Sequence, residues 1–357
     1  MKKKLLVLVL AAITVAATGC GSVGSTEVSE EDLAEVDVET TSSDAEVIIR
    51  ISNGSSASAP FCVAQDEVFK PYVEEALDGT MAVEVYYSNQ LGSDTASTES
   101  LRAGDLEMNC TSTAPLVGLV PELGVFDIPF LFSSYEQADY VIDGGLGDYL
   151  TEKINTKGVY VIAWCENGFR NLTTVEDHPV TTPDDLSGLK IRTMENDNHI
   201  ALWNALGASA TPIDGSQIYT SLQSGVVDGQ ENPIPNFYAQ QIHEVSPNIT
   251  ITEHIYSPML LLYSSDLFDQ LTEDQQAIIM EAGAEYSVAE REENRTQSEE
   301  ILAELEADED YNVIELTSDE KQAFIDLTVD LQQEIKDSLD SEVVELLDQL
   351  LEESSDL

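Results

Sequence analysis

Strand-like and helix-like segments alternate along the chain from Val47 onward, and this alternation limits the fold more than any other feature of the sequence. Short runs of β-branched and aromatic residues are separated by stretches with apolar residues at helical spacing. Predicted strands are 47–51, 83–87, 106–112, 159–164 and 189–193, predicted helices are 68–77, 97–103, 135–155, 199–206 and 216–224, and 249–263 is extended with a break at Pro258. Strands that alternate with helices favour an α/β fold with a mainly parallel sheet.

About the last 90 residues differ in character, because apolar residues recur there at helical spacing within an acidic background. Thr272 with Gln275, and Thr317 with Glu320, have capping-box spacing, in which two side chains satisfy each other's free backbone donors. We therefore predict a mostly helical C-terminal region, with helices that begin at these two threonines.

The N-terminus has the organisation of an export signal. Three lysines stand among the first four residues, residues 5–17 form an apolar run too short to span a bilayer, and Cys20 follows two small residues. This pattern predicts lipoprotein processing at Cys20, with simple signal cleavage as the alternative. Either outcome places the mature protein outside the cytoplasm.

Residues 21–46 are predicted to be an acidic, disordered linker. The stretch 27–46 carries nine acidic residues and no basic one, so it lacks the apolar surface that a core requires. No second apolar stretch of about 18 residues follows, and we expect the folded part to lie outside the membrane with at most an N-terminal tether.

The formal charge of the chain is −53, from 15 basic and 68 acidic residues. Without the three signal lysines, 12 basic residues stand against 68 acidic ones, which makes −56 for the mature chain. Such a field excludes nucleic-acid binding through bulk charge, and the lack of basic clusters argues against adsorption to an anionic membrane. We interpret the acidity as a solvated surface.

Three cysteines follow Cys20, namely Cys62, Cys110 and Cys165, and none has CxxC spacing. They predict neither a zinc site nor a thioredoxin-type redox motif. One disulfide with one free thiol is an alternative, but three reduced, buried cysteines are favoured.

Motifs of common catalytic chemistries are missing from the sequence, among them HExxH, GxSxG, the P-loop, and GxGxxG after a strand. The four histidines stand at unrelated spacings, so neither a histidine metal site nor a cofactor is predicted. With 68 carboxylates, pairs of acids are uninformative, because most must be solvated.

Arginines are rare, with six in the folded part, and two of them follow predicted strands. Arg192 ends the apolar strand residues 189–191, and Arg170 lies a few residues after the strand that ends at Trp164. Ligands of open α/β sheets bind beyond the carboxyl ends of strands, and a guanidinium binds a carboxylate through two parallel hydrogen bonds. The pair suits an organic acid; the alternative is that each arginine forms a salt bridge with a nearby acidic side chain.

Several longer motifs resemble the solute-binding proteins of tripartite ATP-independent periplasmic (TRAP) transporters, the DctP family. They are SNQLGS at 88–93, VPELGVFDIPFLF at 120–132, GFRNLTT at 168–174, and PDDLSGLKIRTMEN, ALGASATPID and IYTSLQSGVVDGQENP within 183–233. The resemblance spans roughly residues 47–302 and implies a two-lobed α/β fold of the periplasmic-binding-protein type. A long helix from Thr272 to about Leu305 would cross both lobes. Lobe I would comprise 47–167 and about 258–300, and lobe II 168–257 and about 301–357.

The resemblance also implies roles for individual residues. Arg192 would form the principal ion pair with a ligand carboxylate, Arg170 would add a second cationic contact, and Asn232 would hydrogen-bond the same end of the ligand. Less specific matches imply ligand contacts from Asn53, Ser112, Thr113, Trp164, Phe169, Tyr219 and Tyr256. For the four aromatic residues, packing in the core is an equal alternative.

The function implied is that of the extracytoplasmic solute-binding subunit of a TRAP-type secondary transporter. It would bind a C4-dicarboxylate, another carboxylate or a sugar acid, and deliver it to a small and a large membrane subunit. It would not be an enzyme, and it would be anchored to the outer face of the cell membrane through Cys20 or lie in the periplasm. The alternatives are a ligand-sensing receptor on the same fold and a secreted enzyme acting on an acidic sugar.

Overall fold

A mixed β-sheet forms the centre of the protein in the computed structural model, which describes residues 45–357. Its strands are β1 (Val47–Asn53), β2 (Met81–Tyr86), β3 (Met108–Ser112), β4 (Val159–Thr174), β5 (Lys190–Thr193), β6 (Ser209–Pro212), β7 (Gly229–Pro233), β8 (Asn248–Ser264) and β9 (Asn312–Glu315). The order is β2-β1-β3-β8-β4-β7-β5-β6, and β9 pairs with β8 beside this path. The predicted signal, Cys20 and all but the last two residues of the predicted linker lie outside the described residues.

Two long antiparallel strands join two halves of this sheet. β4 and β8 pair from Val159 with Ser264 to Thr174 with Asn248. β3 pairs with the C-terminal half of β8, and β7 with the C-terminal half of β4. The flanking pairs, β1 with β2 and β3, and β5 with β6 and β7, are parallel. The predicted parallel pairing is therefore confirmed for the outer strands, but it is wrong for the centre of the sheet.

β4 and β8 extend further than the sequence predicts, since the predicted strands stop at Trp164 and break at Pro258. A register shift between Glu166 and Gly168 marks a bulge, and Glu166 lies opposite Pro258. Gly168 adopts a φ of 100°, which a residue with a side chain rarely takes. The bulge accommodates a proline that has no N–H to donate, and both strands continue past it.

Helices cover the sheet and form most of the C-terminal region, as predicted. They are α1 (Pro60–Ala64), α2 (Lys70–Ala76), α3 (Asp94–Arg102), α4 (Tyr135–Val141), α5 (Gly147–Asn155), α6 (Asp197–Ala205), α7 (Ile218–Gln223), α8 (Ile234–Ala239), α9 (Ser265–Phe268), α10 (Glu273–Ala307), α11 (Ser318–Ser338) and α12 (Ser341–Glu353). π-helical turns at Gln65–Phe69 and Ile142–Leu146 join α1 to α2 and α4 to α5. Both predicted capping boxes are confirmed, with Thr272 and Thr317 at the N-caps of α10 and α11.

The long helix α10 contributes to two separate apolar cores. Ile279, Ala282 and Tyr286 pack in the core that β1 and β3 share with α1. Leu305, near its other end, packs with residues of α7 and α8. The predicted long helix from Thr272 to about Leu305 is confirmed by this element, which connects both halves of the sheet. The three cysteines after Cys20 are buried, and none of them forms a disulfide within residues 45–357.

Gly283 allows α10 to lie close against β4, and we expect Gly283→Ala to destabilise the protein by about 1–3 kcal/mol, the usual cost of overpacking. A Cβ atom at Gly283 would lie 2.6 Å from Ile162 Cγ2 and 2.7 Å from the Ile162 carbonyl oxygen. This clash outweighs the gain of about 1 kcal/mol in helix propensity. Urea unfolding measures the change, and Gly118→Ala, whose Cβ would meet no atom within 4 Å, is the control. An unchanged or higher midpoint for Gly283→Ala would contradict the packing argument.

Candidate functional site

A cavity lies where strands from both halves of the sheet end. Ser112 ends β3, Asn167 lies at the bulge of β4, Arg192 is on β5 and Asn232 is on β7, and all four line the cavity. Apolar parts of the wall come from Phe61, Met194, Ile218 and Met259. The cavity therefore combines one cationic side chain, Arg192, and one acidic side chain, Asp94, with amides, hydroxyls and apolar surface.

Arg192 differs from the other five arginines of the sequence in its surroundings. All six arginines lie within residues 45–357. Arg50, Arg102, Arg170, Arg291 and Arg295 each form a salt bridge with a carboxylate. Within the described residues no carboxylate lies within 4.0 Å of the Arg192 guanidinium, although the side chain is only 3% exposed. A buried charge without a partner is costly, so this position indicates a binding function.

The Arg192 guanidinium is held in place by a single backbone contact. Its Nε donates to the carbonyl oxygen of Ile213 at 2.7 Å, and no other acceptor among residues 45–357 hydrogen-bonds its two terminal nitrogens. Burial lowers the pKa of Arg192 to about 10, while nearby carboxylates, led by that of Glu231, limit the decrease. The side chain is therefore charged at neutral pH, with two nitrogens in the parallel arrangement that matches a carboxylate.

Arg170 lies next to this cavity but is fully buried and already paired. Its Nε and Nη2 donate to the carboxylate of Glu231, and Nη2 also donates to Asn232 Oδ1 at 2.9 Å. Its Nη1 has no hydrogen-bond partner among the described residues. The alternative interpretation, a salt bridge to a nearby acidic side chain, thus applies to Arg170. Its Nη1 amino group is nevertheless without a partner among the described residues.

A buried polar network holds the Arg170–Glu231 pair. His254 Nε2 lies 3.1 Å from Glu231 Oε2, and His199 lies between Glu231 and Asp127, with its Nε2 3.2 Å from Asp127 Oδ1. Burial by itself would raise the pKa of the Glu231 carboxyl, but the Arg170 charge and the two histidines hold that pKa well below its usual range. The ion pair therefore persists at mildly acidic pH.

Asn232 connects the buried pair to the cavity. It accepts from Arg170 Nη2 and donates through Nδ2 to Gln230 Oε1 at 2.8 Å. Neighbouring β4 and β7 place Asn232 opposite Asn171 in the ladder. Arg192, Arg170 and Asn232, which were predicted to act together, thus lie close together on β5, β4 and β7.

The other predicted polar contacts differ in position. Ser112 lines the cavity, and its hydroxyl lies 3.5 Å from Met194 Sδ. Asn53 ends β1, where its side chain exchanges two hydrogen bonds with the buried Gln65. Thr113 is buried at the start of the turn after β3. Of these three, only Ser112 has its place in the cavity wall.

The predicted aromatic contacts lie mainly in the protein core. The Trp164 indole donates to Thr151 at 2.9 Å and packs against Phe126. Phe169 packs against Tyr256, with ring centroids 5.2 Å apart, and the Tyr256 hydroxyl donates to Glu166. Tyr219 borders a neighbouring surface groove. For Trp164, Phe169 and Tyr256 the structure favours packing in the core over ligand contact. These rings on β4 and β8 belong to the apolar core that also contains residues of α4.

Several cavity residues escaped the sequence analysis. They are Gly54, Ser55, Asn89, Asp94, Thr111, Asn167, Asn236 and Gln240. Gly54, Ser55 and Asn89 follow the ends of β1 and β2, and this position is the signal that could have found these three. Among acids that number 68 in the sequence, no local pattern distinguishes Asp94.

Two further observations concern the class of protein. Among the described residues no group of three or more histidines, cysteines or carboxylates has an arrangement suited to a metal ion. No helix between residues 45 and 357 has the length and hydropathy of a membrane span.

Known proteins with this architecture bind small organic acids. The sugar acid binding protein DctPAm of Advenella mimigardefordensis, in complex with galactonate, has a TM-score of 0.82 and 34% identity, covering 85% of this chain and 98% of that one. A TRAP periplasmic solute-binding protein of Sulfurospirillum deleyianum with bound succinate has a TM-score of 0.81 and 28% identity, covering 86% and 98%. A solute-binding protein of Verminephrobacter eiseniae is 39% identical over 66% of this chain and 70% of its own length.

The fold thus defines an α/β solute-binding protein of the two-lobed TRAP class, as the motifs predict. A family model described as "bacterial extracellular solute-binding protein, family 7", the DctP family, matches residues 52–338. The chain belongs to this family, which is extracytoplasmic and whose members are transport proteins. The family prediction is confirmed.

Proposed function

We propose that this chain is the solute-binding subunit of a TRAP-type secondary transporter and that it binds the carboxylate of a small organic acid through Arg192. The observation that supports this most directly is that Arg192 is buried in the cavity without a carboxylate partner among residues 45–357. An anionic ligand supplies the missing charge, and the two terminal nitrogens of Arg192 bind its two oxygens.

Arg170 and Asn232 complete the anion site in this proposal. Asn232 lines the cavity together with Arg192, and Arg170, which donates to Asn232, keeps its Nη1 without a partner among residues 45–357. Glu231 takes up most of the Arg170 charge, so Arg192 provides the principal attraction and Arg170 an additional donor. Closure of the two lobes around the ligand would exclude water and strengthen each of these contacts.

Delivery to a small and a large membrane subunit completes the proposed role. Lipidation at Cys20 would anchor the protein outside the cytoplasm, and the acidic linker 21–46 would separate the folded part from the membrane. The predicted lobe boundaries belong to the same proposal. Both proposed boundaries, near 167 and 257, fall at the β4 bulge and its partner on β8.

A thermal-shift screen of residues 45–357 against organic acids, sugar acids and neutral sugars tests this function. At a concentration 100 times its Kd, a ligand stabilises the folded state by about 2.7 kcal/mol. We expect at least one acid to raise the melting temperature and to be recovered chemically unchanged. Stabilisation by neutral sugars alone, or conversion of the acid, would contradict the proposal.

A further inference from the structure

Polar side chains on one side of α10 face the bulge of β4. Ser287, Glu290 and Asn294 stand three and four residues apart, which places them on the same side of a helix. Glu290 is fully buried, Asn294 is 3% exposed, and Ser287 donates to the carbonyl oxygen of Trp164. Nearer its start the same helix packs on the sheet through apolar side chains. Buried polar groups are costly unless they are hydrogen-bonded, so this part of α10 has a more specific role than packing.

Glu290 and Asn294 bind the backbone of β4 at the bulge. Glu166 lies opposite Pro258, which has no N–H to donate to the Glu166 carbonyl oxygen. Asn294 Nδ2 donates to that oxygen at 3.0 Å, and the Glu166 N–H donates to Glu290 Oε2 at 2.7 Å. Side chains of α10 therefore satisfy both backbone groups of Glu166.

The side chain of Glu166 is held as firmly as its backbone. Its buried carboxylate accepts from Arg295 Nη2 and from the Tyr256 hydroxyl, each at 2.8 Å. Because its N–H, its carbonyl oxygen and its carboxylate are all bound, Glu166 sets the direction in which the chain continues. The next residue is Asn167, which lines the cavity.

The neighbours of Asn167 fix the orientation of its amide. Asn236 Oδ1 accepts from Ser55 Oγ at 2.8 Å and from Gln240 Nε2 at 2.7 Å, so Asn236 Nδ2 is free to donate. It donates to Asn167 Oδ1 at 3.1 Å. Asn167 Nδ2 is thus left without an acceptor among residues 45–357, although the residue is only 5% exposed. An unpaired donor in a cavity wall indicates an acceptor supplied by the ligand.

Glu290 acts as a neutral hydrogen-bond acceptor. Burial, followed by the neighbouring Cys165 and Glu166, raises the pKa of its carboxyl well above the ordinary value. Its Oε2 accepts from the Glu166 N–H, and its Oε1 has no partner among the described residues. Glutamine also offers one carbonyl oxygen on a neutral side chain, so it can replace Glu290 at this contact.

We propose that Glu290 and Asn294 are positioning residues of the binding site, which hold the Glu166 backbone and thereby place the Asn167 Nδ2 to donate to the bound acid. This inference rests on the proposed function and adds to it two residues that lie outside the cavity wall. Hydrogen bonds from behind a contact residue keep it in the geometry that binding requires.

Titration calorimetry of residues 45–357 with galactonate and with succinate tests the role of Glu290. For the acid that binds more tightly, we expect Glu290→Leu to weaken binding about 5-fold, the value of one hydrogen bond. Glu290→Gln should stay within about 2-fold of the wild type, as should Glu285→Leu, the same substitution at an exposed position of α10. Wild-type affinity in Glu290→Leu, or an equal loss in Glu290→Gln, would overturn the proposal.

A double-mutant cycle distinguishes positioning from a general loss of structure. Asn167→Ala should itself weaken binding about 5-fold. In that background Glu290→Leu should change the affinity by less than about 2-fold, because the contact that it positions is already gone. Asn294→Ala should give the same pattern, and it takes the place of Glu290→Leu if that variant does not fold. Independent effects that multiply would overturn the proposal, whereas failure of the wild type to bind any acid of the thermal-shift screen would contradict the proposed function.

Discussion

Replacing Arg192 with alanine is expected to reduce the affinity for the acid ligand by about 30-fold or more. Loss of one partner of a buried charge pair costs about 2–5 kcal/mol, because the other charge is left desolvated. Arg192 has no carboxylate partner to share this loss among the described residues. The unfolding midpoint of the free protein should be unchanged or higher, since the variant removes an unpaired buried charge.

Titration calorimetry with the acid that gives the largest thermal shift measures the effect of Arg192→Ala. Arg102→Ala is the matched control, because Arg102 forms a surface salt bridge with Glu99 far from the strand ends that carry Arg192 and Asn232. Wild-type affinity in Arg192→Ala would contradict the assignment of the anion site.

Replacing Glu231 with alanine is expected to destabilise the protein by about 3–5 kcal/mol, the largest effect on folding that the site predicts. The variant leaves Arg170 fully buried without a countercharge, and it removes the acceptor that faces His254. Chemical unfolding in urea measures the loss. Glu231→Gln keeps a hydrogen-bond acceptor and should lose less than the alanine variant.

A double variant separates the charge from the packing at this position. Arg170→Met with Glu231→Leu removes both charges of this pair, so we expect it to recover much of the stability that Glu231→Ala loses. It should still bind the acid more weakly than the wild type, because the Arg170 Nη1 donor is gone. If Glu231→Ala cost less than about 1 kcal/mol, the view of Arg170 as a charge that depends on Glu231 would be wrong.

The parts of the fold that could be predicted from the sequence depend on local patterns. The capping boxes at Thr272 and Thr317 are local, and both helices begin there. The continuation of β8 through Pro258 could not be predicted, because it depends on a bulge in β4 that lies about 90 residues away. The antiparallel centre of the sheet depends on the same pairing between distant strands.

The candidate site shows the same division between local and distant information. Arg192 lies on a short predicted strand and belongs to a long motif, so its place at the cavity could be anticipated. The pairing of Arg170 with Glu231 joins residues 61 positions apart, and the sequence offers no means to select Glu231 among 68 acids.

The most direct test of the central claim is a calorimetric comparison of one acid with its uncharged counterpart on wild-type residues 45–357. Galactonate and galactitol differ chiefly in the carboxylate, which in the proposed complex lies on Arg192. The account predicts clear binding of the acid and at least about 100-fold weaker binding of the alcohol, the loss expected when a buried charge is left unpaired. Equal affinity for the two compounds would show that the cavity does not recognise the carboxylate and would contradict the account.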